Sequence, residues 1–230
     1  MLLNGNGNGN GNGNGNGHGR SRGWRQLLGW GAGSADDLAP FRKIAMQLNY
    51  DLSRDDAPRS VLLTTVAPSA ESSTGVIELG ACLAGEFSRR VLLIDATMKQ
   101  AAVSRRFSCE HKPGLMEALA DSQRNLQELV LSTSHANLWF LPAGGNSTKG
   151  PGVSTERVKE FFAETERQYD ALLIAAGSVL VDPVGLILAP QMATVLLFAA
   201  AGQTKVEDFA AAQDALEFCL ARKVGVVLTS

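Results

Sequence analysis

Six short runs rich in β-branched and large apolar residues recur along the chain: Val61 to Val66, Val91 to Ala96, Asn137 to Leu141, Ala171 to Ala175, Ala193 to Ala199 and Val224 to Leu228. Unbroken runs of this length suit strands buried on both faces, because a strand with one wet face would alternate apolar and polar residues. Helix-like segments separate them. Ser73 to Phe87 places Val76, Leu79, Gly80, Leu83 and Phe87 on one face, Ser154 to Arg167 opens on a Ser-Thr-Glu cap signal, and Lys205 to Ala221 predicts a further helix. The alternation specifies an α/β fold, a doubly wound and mainly parallel sheet flanked by helices. In such open sheets ligands sit at the carboxyl ends of the strands, which makes the loop after Val66 the first place to look for a site.

Ahead of the runs the composition changes. Asn and Gly alternate from Asn4 to Gly17, a pairing with high backbone entropy and nothing to bury, and this reads as a flexible tether. The segment Trp24-Arg25-Gln26-Leu27-Leu28-Gly29-Trp30 follows, beside Arg20 and Arg22. Its chemistry suits an interfacial membrane anchor, a docking peptide for a partner, or a segment that packs on the domain. Beyond Ser34, with Asp36 and Asp37 placed for a cap, Leu38, Phe41, Ile44, Ala45 and Leu48 predict a helix of about four turns. The expected organisation is a tail over residues 1–34 and one domain over 35–230.

The formal charge of −2 and the pI near 5.9 leave no basic footprint for nucleic acid, so the expected partners are proteins. Cys82, Cys109 and Cys219 are too scattered for a disulfide framework or a metal set, which fits a reducing cytoplasm. Met1-Leu2-Leu3 runs directly into the Asn-Gly repeat without the apolar core of a signal peptide. The most apolar stretch, Leu186 to Ala201, is interrupted by Pro190 and Gln191 and falls short of the ~20 residues of a membrane span. A cytoplasmic protein that reaches the inner face of the plasma membrane through a partner is the expectation.

The loop reads Thr65-Val66-Ala67-Pro68-Ser69-Ala70-Glu71-Ser72-Ser73-Thr74 and leads into a helix containing Gly80-Ala81-Cys82-Leu83-Ala84. It resembles the strand, Pro-Gly-Glu-Gly-Lys-Ser-Thr loop and helix of the bacterial tyrosine autokinases, cytoplasmic partners of the membrane co-polymerases that control capsule and exopolysaccharide chain length and export. Other stretches agree in order: Phe41-Arg42 with Leu48, Val91 to Asp95, Phe107 with Gly114-Leu115, Asn137-Leu138 with Leu141-Pro142-Ala143-Gly144, Tyr169-Asp170 with Val179-Leu180, Asp182 and Ala189-Pro190, and finally Gly225 to Leu228. The resemblance covers Leu38 to Ser230 and implies the phosphate-loop fold that the family shares with positioning ATPases of the partition and septum-site type.

Against that family the chemistry is incomplete. A phosphate loop works because glycines let backbone N–H groups turn inward, a lysine reaches the β and γ phosphates, and a hydroxyl ligates magnesium. Ser69 and Glu71 stand at the glycine positions and Ser72 at the lysine; only Ser73 and Thr74 keep the hydroxyls. A carboxylate at Glu71 would repel a phosphate charge ~4 Å away by about 4 kcal/mol at an effective dielectric of ~20. At a helix N-terminus the same carboxylate gains roughly 0.3–1 kcal/mol, so Glu71 is either a plug in the empty anion site or a solvated loop residue. The family's second strand ends in Asp-x-Asp-x-Arg; Asp95 is retained, with Thr97 and Lys99 at the other two positions. Asp95 is the residual candidate for catalysis or, with Ser73, for a metal, although a structural role capping the following loop is the favoured reading. Ala175 stands where the family carries a magnesium-organising Asp, and Asp182 is expected to open a helix from Pro183. The ring-forming Glu-x-x-Arg-x-x-Arg motif reads Ala39, Arg42, Ala45, and the only tyrosines are Tyr50 and Tyr169. His111 and His135 lack a Ser or Asp pattern that would make them catalytic.

The leading expectation is therefore a catalytically degenerate family member, a cytoplasmic scaffold or regulator docked on an inner-membrane polysaccharide co-polymerase, capable of self-association and without a cofactor. The alternatives are a divergent, active tyrosine kinase or ATPase that uses ATP and Mg2+ through Ser73, Thr74 and Asp95, and a positioning ATPase of the related type.

Overall fold

The computed structural model describes residues 39–53, 59–67, 71–97, 100–145 and 154–229; at residues 39, 40 and 71–73 it describes backbone only. The predicted strand and helix segments form, but the last run, Val224 to Leu228, is not buried on both faces as expected: as the outermost strand it alternates exposed and half-buried residues. The strands are β1 (Ser60–Thr65), β2 (Val91–Asp95), β3 (Leu131–Ser132), β4 (Leu138–Leu141), β5 (Ala171–Ser178), β6 (Thr194–Ala200) and β7 (Val224–Thr229). They form one sheet in the order β3-β4-β2-β5-β1-β6-β7, parallel throughout except for the β3–β4 pair.

Every residue of β1 and β2 is buried, as the continuous apolar runs require. Successive side chains alternate between two cores. Leu62, Leu92, Ile94, Leu172, Ile174, Val195 and Leu197 point to one face. Val61, Leu63, Val91, Leu93, Leu173, Leu196 and Phe198 point to the other. Helices α1 (Ala39–Leu52) and α2 (Glu71–Glu86) cover the second face through Ala45, Leu48, Val76, Leu79 and Leu83. The first face is covered by α4 (Leu115–Ala120), α6 (Thr155–Thr165), α7 (Val184–Leu188) and α8 (Val206–Phe218), through residues such as Leu119, Phe161, Leu188 and Leu216.

Two short helices, α3 (Ala102–Arg106) and α5 (Leu126–Leu129), complete the described chain together with a 3-10 turn at Ala189–Gln191. The first predicted helix begins at Ala39. Ser34, Asp36, Asp37 and Leu38, with the tail and Trp24 to Trp30, lie outside the described residues, as do Pro68, Ser69, Ala70 and Lys99. Strand β5 departs from expectation: it runs to Ser178 rather than stopping at Ala175. The continuation is held by an irregularity in its register with β1, where Leu63 pairs with Ala175 but Thr65 pairs with Ser178.

Candidate functional site

The carboxyl ends of β1, β2, β4 and β5 lie side by side, and the loops leaving them carry the residues singled out from the sequence. At the end of β2, Asp95 is fully buried. Its Oδ1 accepts from the Thr97 amide at 2.9 Å and from the Thr97 hydroxyl at 2.5 Å, and its Oδ2 accepts from the Ser104 amide and hydroxyl, both at 2.7 Å. A carboxylate offers about four lone-pair sites, and these bonds use them. The hydroxyls extend the knot: Thr97 Oγ1 accepts from the Ala102 amide at 2.8 Å, and Ser104 Oγ accepts from the Ala143 amide at 3.0 Å. One side chain thereby ties β2, the start of α3 and the loop after β4. Cys109 donates to the Ser104 carbonyl at 3.4 Å, and burial, reinforced by the Asp95 charge, pushes its thiol up to about 12.

The loop after β4 is fixed just as closely. Pro142 and Ala143 carbonyls accept from the Leu115 and Met116 amides at 2.8 and 3.1 Å, and Glu117 accepts from Gly114 and Gly145 amides at 2.7 and 3.0 Å. A Cβ at Gly114 would stand 1.9 Å from the Pro142 carbonyl oxygen, and one at Gly144, where φ is +74°, 2.0 Å from Glu117 Oε2. Gly114-Leu115 and Leu141 to Gly144, read from the sequence as separate stretches, are two halves of one joint.

Ala175 is buried beside Asp95, and its carbonyl accepts from the Ala96 amide at 2.7 Å. Beyond it, Thr64 donates its hydroxyl to the Gly177 carbonyl at 2.6 Å and Ser178 donates its own to the Val66 carbonyl at 2.5 Å. The strand that would end in a metal-organising carboxylate instead continues along β1. Asp182 Oδ1 accepts from the Val184 amide at 3.1 Å and so opens α7, as expected from Pro183. Gly177 gives it room, since a Cβ there would lie 3.1 Å from the Asp182 side chain.

The loop from Pro68 to Ala70 lies outside the described residues, as do the side chains of Glu71, Ser72 and Ser73, although their backbone forms the first turn of α2. Thr74 is half-buried, and Gly75 packs closely under Phe41 and Phe198. Arg42 pairs with Glu86 of α2 at 2.6 Å, and Ala45 is fully buried between the helix and the sheet. Tyr169 is buried edge-on to Trp139, and burial raises its hydroxyl above the ordinary value; Tyr50 is exposed, as are His111 and His135.

Among the described residues no group of three or more His, Cys, Asp or Glu converges to hold a metal, and no helix is long and apolar enough to cross a membrane. Among the described residues the carboxylate that ends β2, Asp95, has both oxygens engaged by Thr97 and Ser104, and the apolar Ala175 stands beside it. Sequence reasoning missed Ser104 as the partner of Asp95. It lies nine positions on, inside the short helix α3, and only Thr97, two residues after Asp95, gave a local signal.

No protein-family model matches the chain. It is 25% identical over 189 residues to tyrosine-protein kinase YwqD of Bacillus subtilis, covering 82% of this chain and 78% of that one. Over 159 residues it is 30% identical to the putative tyrosine-protein kinase EpsB of Ralstonia nicotianae, covering 68% of this chain but 21% of that protein. Its fold matches the kinase domain of Escherichia coli tyrosine kinase ETK with a TM-score of 0.75 at 17% identity, over 84% of this chain and 75% of that one. MinD of Aquifex aeolicus matches with a TM-score of 0.59 at 15% identity, over 74% and 68%. The chain is a homologue of the bacterial tyrosine-protein kinases, with the MinD- and ParA-like P-loop fold.

Proposed function

We propose that the chain is a catalytically degenerate tyrosine-kinase-like domain that serves as a cytoplasmic scaffold or regulator, docked on an inner-membrane polysaccharide co-polymerase in exopolysaccharide or capsule biosynthesis and export. The observation that carries the reading is Asp95. The one carboxylate retained at the described strand ends accepts from Thr97 and Ser104 at both oxygens and has become part of the frame. The sequence supports it at the neighbouring positions, where Ser72, Thr97 and Ala175 replace a lysine and two carboxylates of the resembled kinases. A cation at Asp95 would have to break a buried network whose donors would then be left unsatisfied, at roughly 1–3 kcal/mol for each.

The co-polymerase partner, the position at the inner face of the plasma membrane, and action without ATP or Mg2+ all follow from kinship to kinases combined with loss of their donors. Calorimetry tests the central point. Titration of MgATP into the full chain is expected to give no heat of binding up to millimolar nucleotide; magnesium-dependent binding in the micromolar range would overturn the reading. Turnover that appears only when the membrane partner is added would overturn it in favour of the divergent kinase.

A further inference from the structure

The turns that lead into the parallel strands gather at the end of the sheet opposite the phosphate-loop position. Backbone bonds fix the place: the Arg59 carbonyl accepts from the Leu172 amide at 2.9 Å, Arg90 from Asp170 at 2.8 Å, and Lys223 from Val195 at 2.7 Å. Arg59, Arg89, Arg90, Arg167, Arg222 and Lys223 thereby come from four separate turns to one end of the domain, and all but the half-buried Arg89 are exposed. The carboxylates of these turns are engaged: Lys223 pairs with Asp51, the Arg59 amide donates to Glu166 at 2.9 Å, and Arg90 pairs with Asp170 at 2.8 Å. Arg59, Arg167 and Arg222 have no carboxylate partner among the described residues, and Arg89 donates to the neutral Asn49 and Ser53. Exposed Glu164 and Glu217, in the last turns of α6 and α8, bound the row, and the connection 54–58, outside the described residues, brings Arg54, Asp55 and Asp56. A row of cations bounded by acids orients a contact more than it drives one.

Large apolar side chains stand in the same place. Helix α8 ends at Phe218, 89% exposed, and Leu220, two residues on, is 80% exposed. Leu220 has φ +59°, and the Leu220 and Ala221 amides donate to the Glu217 and Leu216 carbonyls at 2.9 and 3.1 Å. It therefore occupies the left-handed position that closes a helix and that falls by preference to Gly. A leucine there costs backbone strain and recovers none of it by burial, and such an outlier points to a task outside the fold. Tyr50, 70% exposed, lies on the last turn of α1, which Arg89 and Lys223 grip from the starts of β2 and β7.

We infer that this end of the sheet rests on an anionic lipid bilayer, with Phe218 and Leu220 inserted among the headgroups and Arg59, Arg89, Arg167 and Arg222 against lipid phosphates. An aromatic ring and a leucine on a turn that runs directly into Arg222 and Lys223 have the composition of an interfacial contact: apolar groups reach the acyl boundary while cations stay at headgroup level. A nucleic-acid backbone would use the cations and leave Leu220 in water. The phosphate-loop position then faces away from the bilayer, and the contact holds whether or not the chain binds nucleotide. The cations are scattered along the sequence, and only the parallel sheet, which starts its strands at one end, assembles them.

Flotation of the full chain with lipid vesicles tests the contact. Equimolar phosphatidylglycerol and phosphatidylcholine should bind at least about tenfold more tightly than phosphatidylcholine alone, and the difference should shrink as salt rises. A Phe218→Ser/Leu220→Gly variant should lose at least about tenfold in affinity for the anionic vesicles. Glycine relieves the left-handed backbone, so the urea midpoint of Leu220→Gly alone should not fall, and binding lost in that variant reports the surface rather than unfolding. Arg59→Gln and Arg222→Gln should each weaken binding about fivefold. Equal binding to the two kinds of vesicle would overturn the inference. So would anionic binding that survives in Phe218→Ser/Leu220→Gly but is abolished by Trp24→Ser/Trp30→Ser, which would assign the membrane contact to that segment. Absence of vesicle binding would overturn it as well, and retention on polyglutamate in that case would assign the cations to an acidic protein segment.

Discussion

The two ends of this sheet are built in opposite ways. Where β2 and β4 finish, one carboxylate, two hydroxyls and the loop after β4 form a closed network in which Asp95 and Ser104 are fully buried. At β6 and β7 the layer thins: only Ala212 and Leu216 of α8 are buried, while Val206, Phe218 and Leu220 stand 80% or more exposed. In the resembled kinases the first region belongs to the chemistry, and here it is the better knit of the two. The second holds the most exposed of the large apolar side chains among the described residues, Phe218, Val206 and Leu220.

The contrast can be broken most directly at Asp95. Replacing it with alanine strands the amides and hydroxyls of Thr97 and Ser104 in a site water does not reach, and each unsatisfied group costs roughly 1–3 kcal/mol with some relief from relaxation. Asp95→Ala is expected to lower the unfolding free energy by about 3–5 kcal/mol in urea denaturation. A loss below about 1 kcal/mol would mean that the carboxylate is not structural, and the difference between the two regions would disappear.

Most of the frame was legible before any coordinates. The strands declared themselves because a parallel sheet buried on both faces needs unbroken apolar runs, and β1, β2, β5 and β6 are such runs. Helices α3, α4 and α5, of five, six and four residues, were not foreseen, because helices so short have no usable periodicity and are held by contacts from elsewhere. Glu117, for example, caps Gly114 and at the same time latches Gly145. The strand end at Ala175 was misplaced because the continuation to Ser178 depends on side chains bonding to β1 rather than on local pattern. At the site, the substitutions at Ser72, Thr97 and Ala175 could be read one by one, but the partnership of Asp95 with Ser104 is tertiary.

A smaller effect separates ionic from apolar order. Arg90 grips Asp170 through two side-chain bonds of 2.8 and 3.2 Å and a backbone bond of 2.9 Å, joining the starts of β2 and β5. The Arg90 guanidinium holds the Asp170 carboxyl below the ordinary carboxylate range, against a smaller opposing push from burial. The folded value thus lies below the unfolded one near ~3.9, so the pair stabilises fully above that pH and its contribution fades as pH falls through the folded value. Asp170→Asn is expected to cost up to about 1 kcal/mol at neutral pH, since Arg90 is half exposed, and to flatten the fall in stability on the acid side of the ordinary carboxylate range. An unchanged acid limb in denaturation curves would locate that pH dependence elsewhere.

The smallest effect is expected at the open edge, and it sharpens the comparison most. Phe218 ends α8 at 89% exposure, on the side of the helix away from Ala212 and Leu216. An aromatic ring left in water gains little from folding, so Phe218→Ser should change stability by no more than about 0.5 kcal/mol in the same urea assay. Its unfolding midpoint should also be the same at micromolar and at tenfold higher protein concentration. A loss above about 2 kcal/mol would show that the ring is buried in solution, and a loss confined to the higher concentration would assign that burial to a second copy.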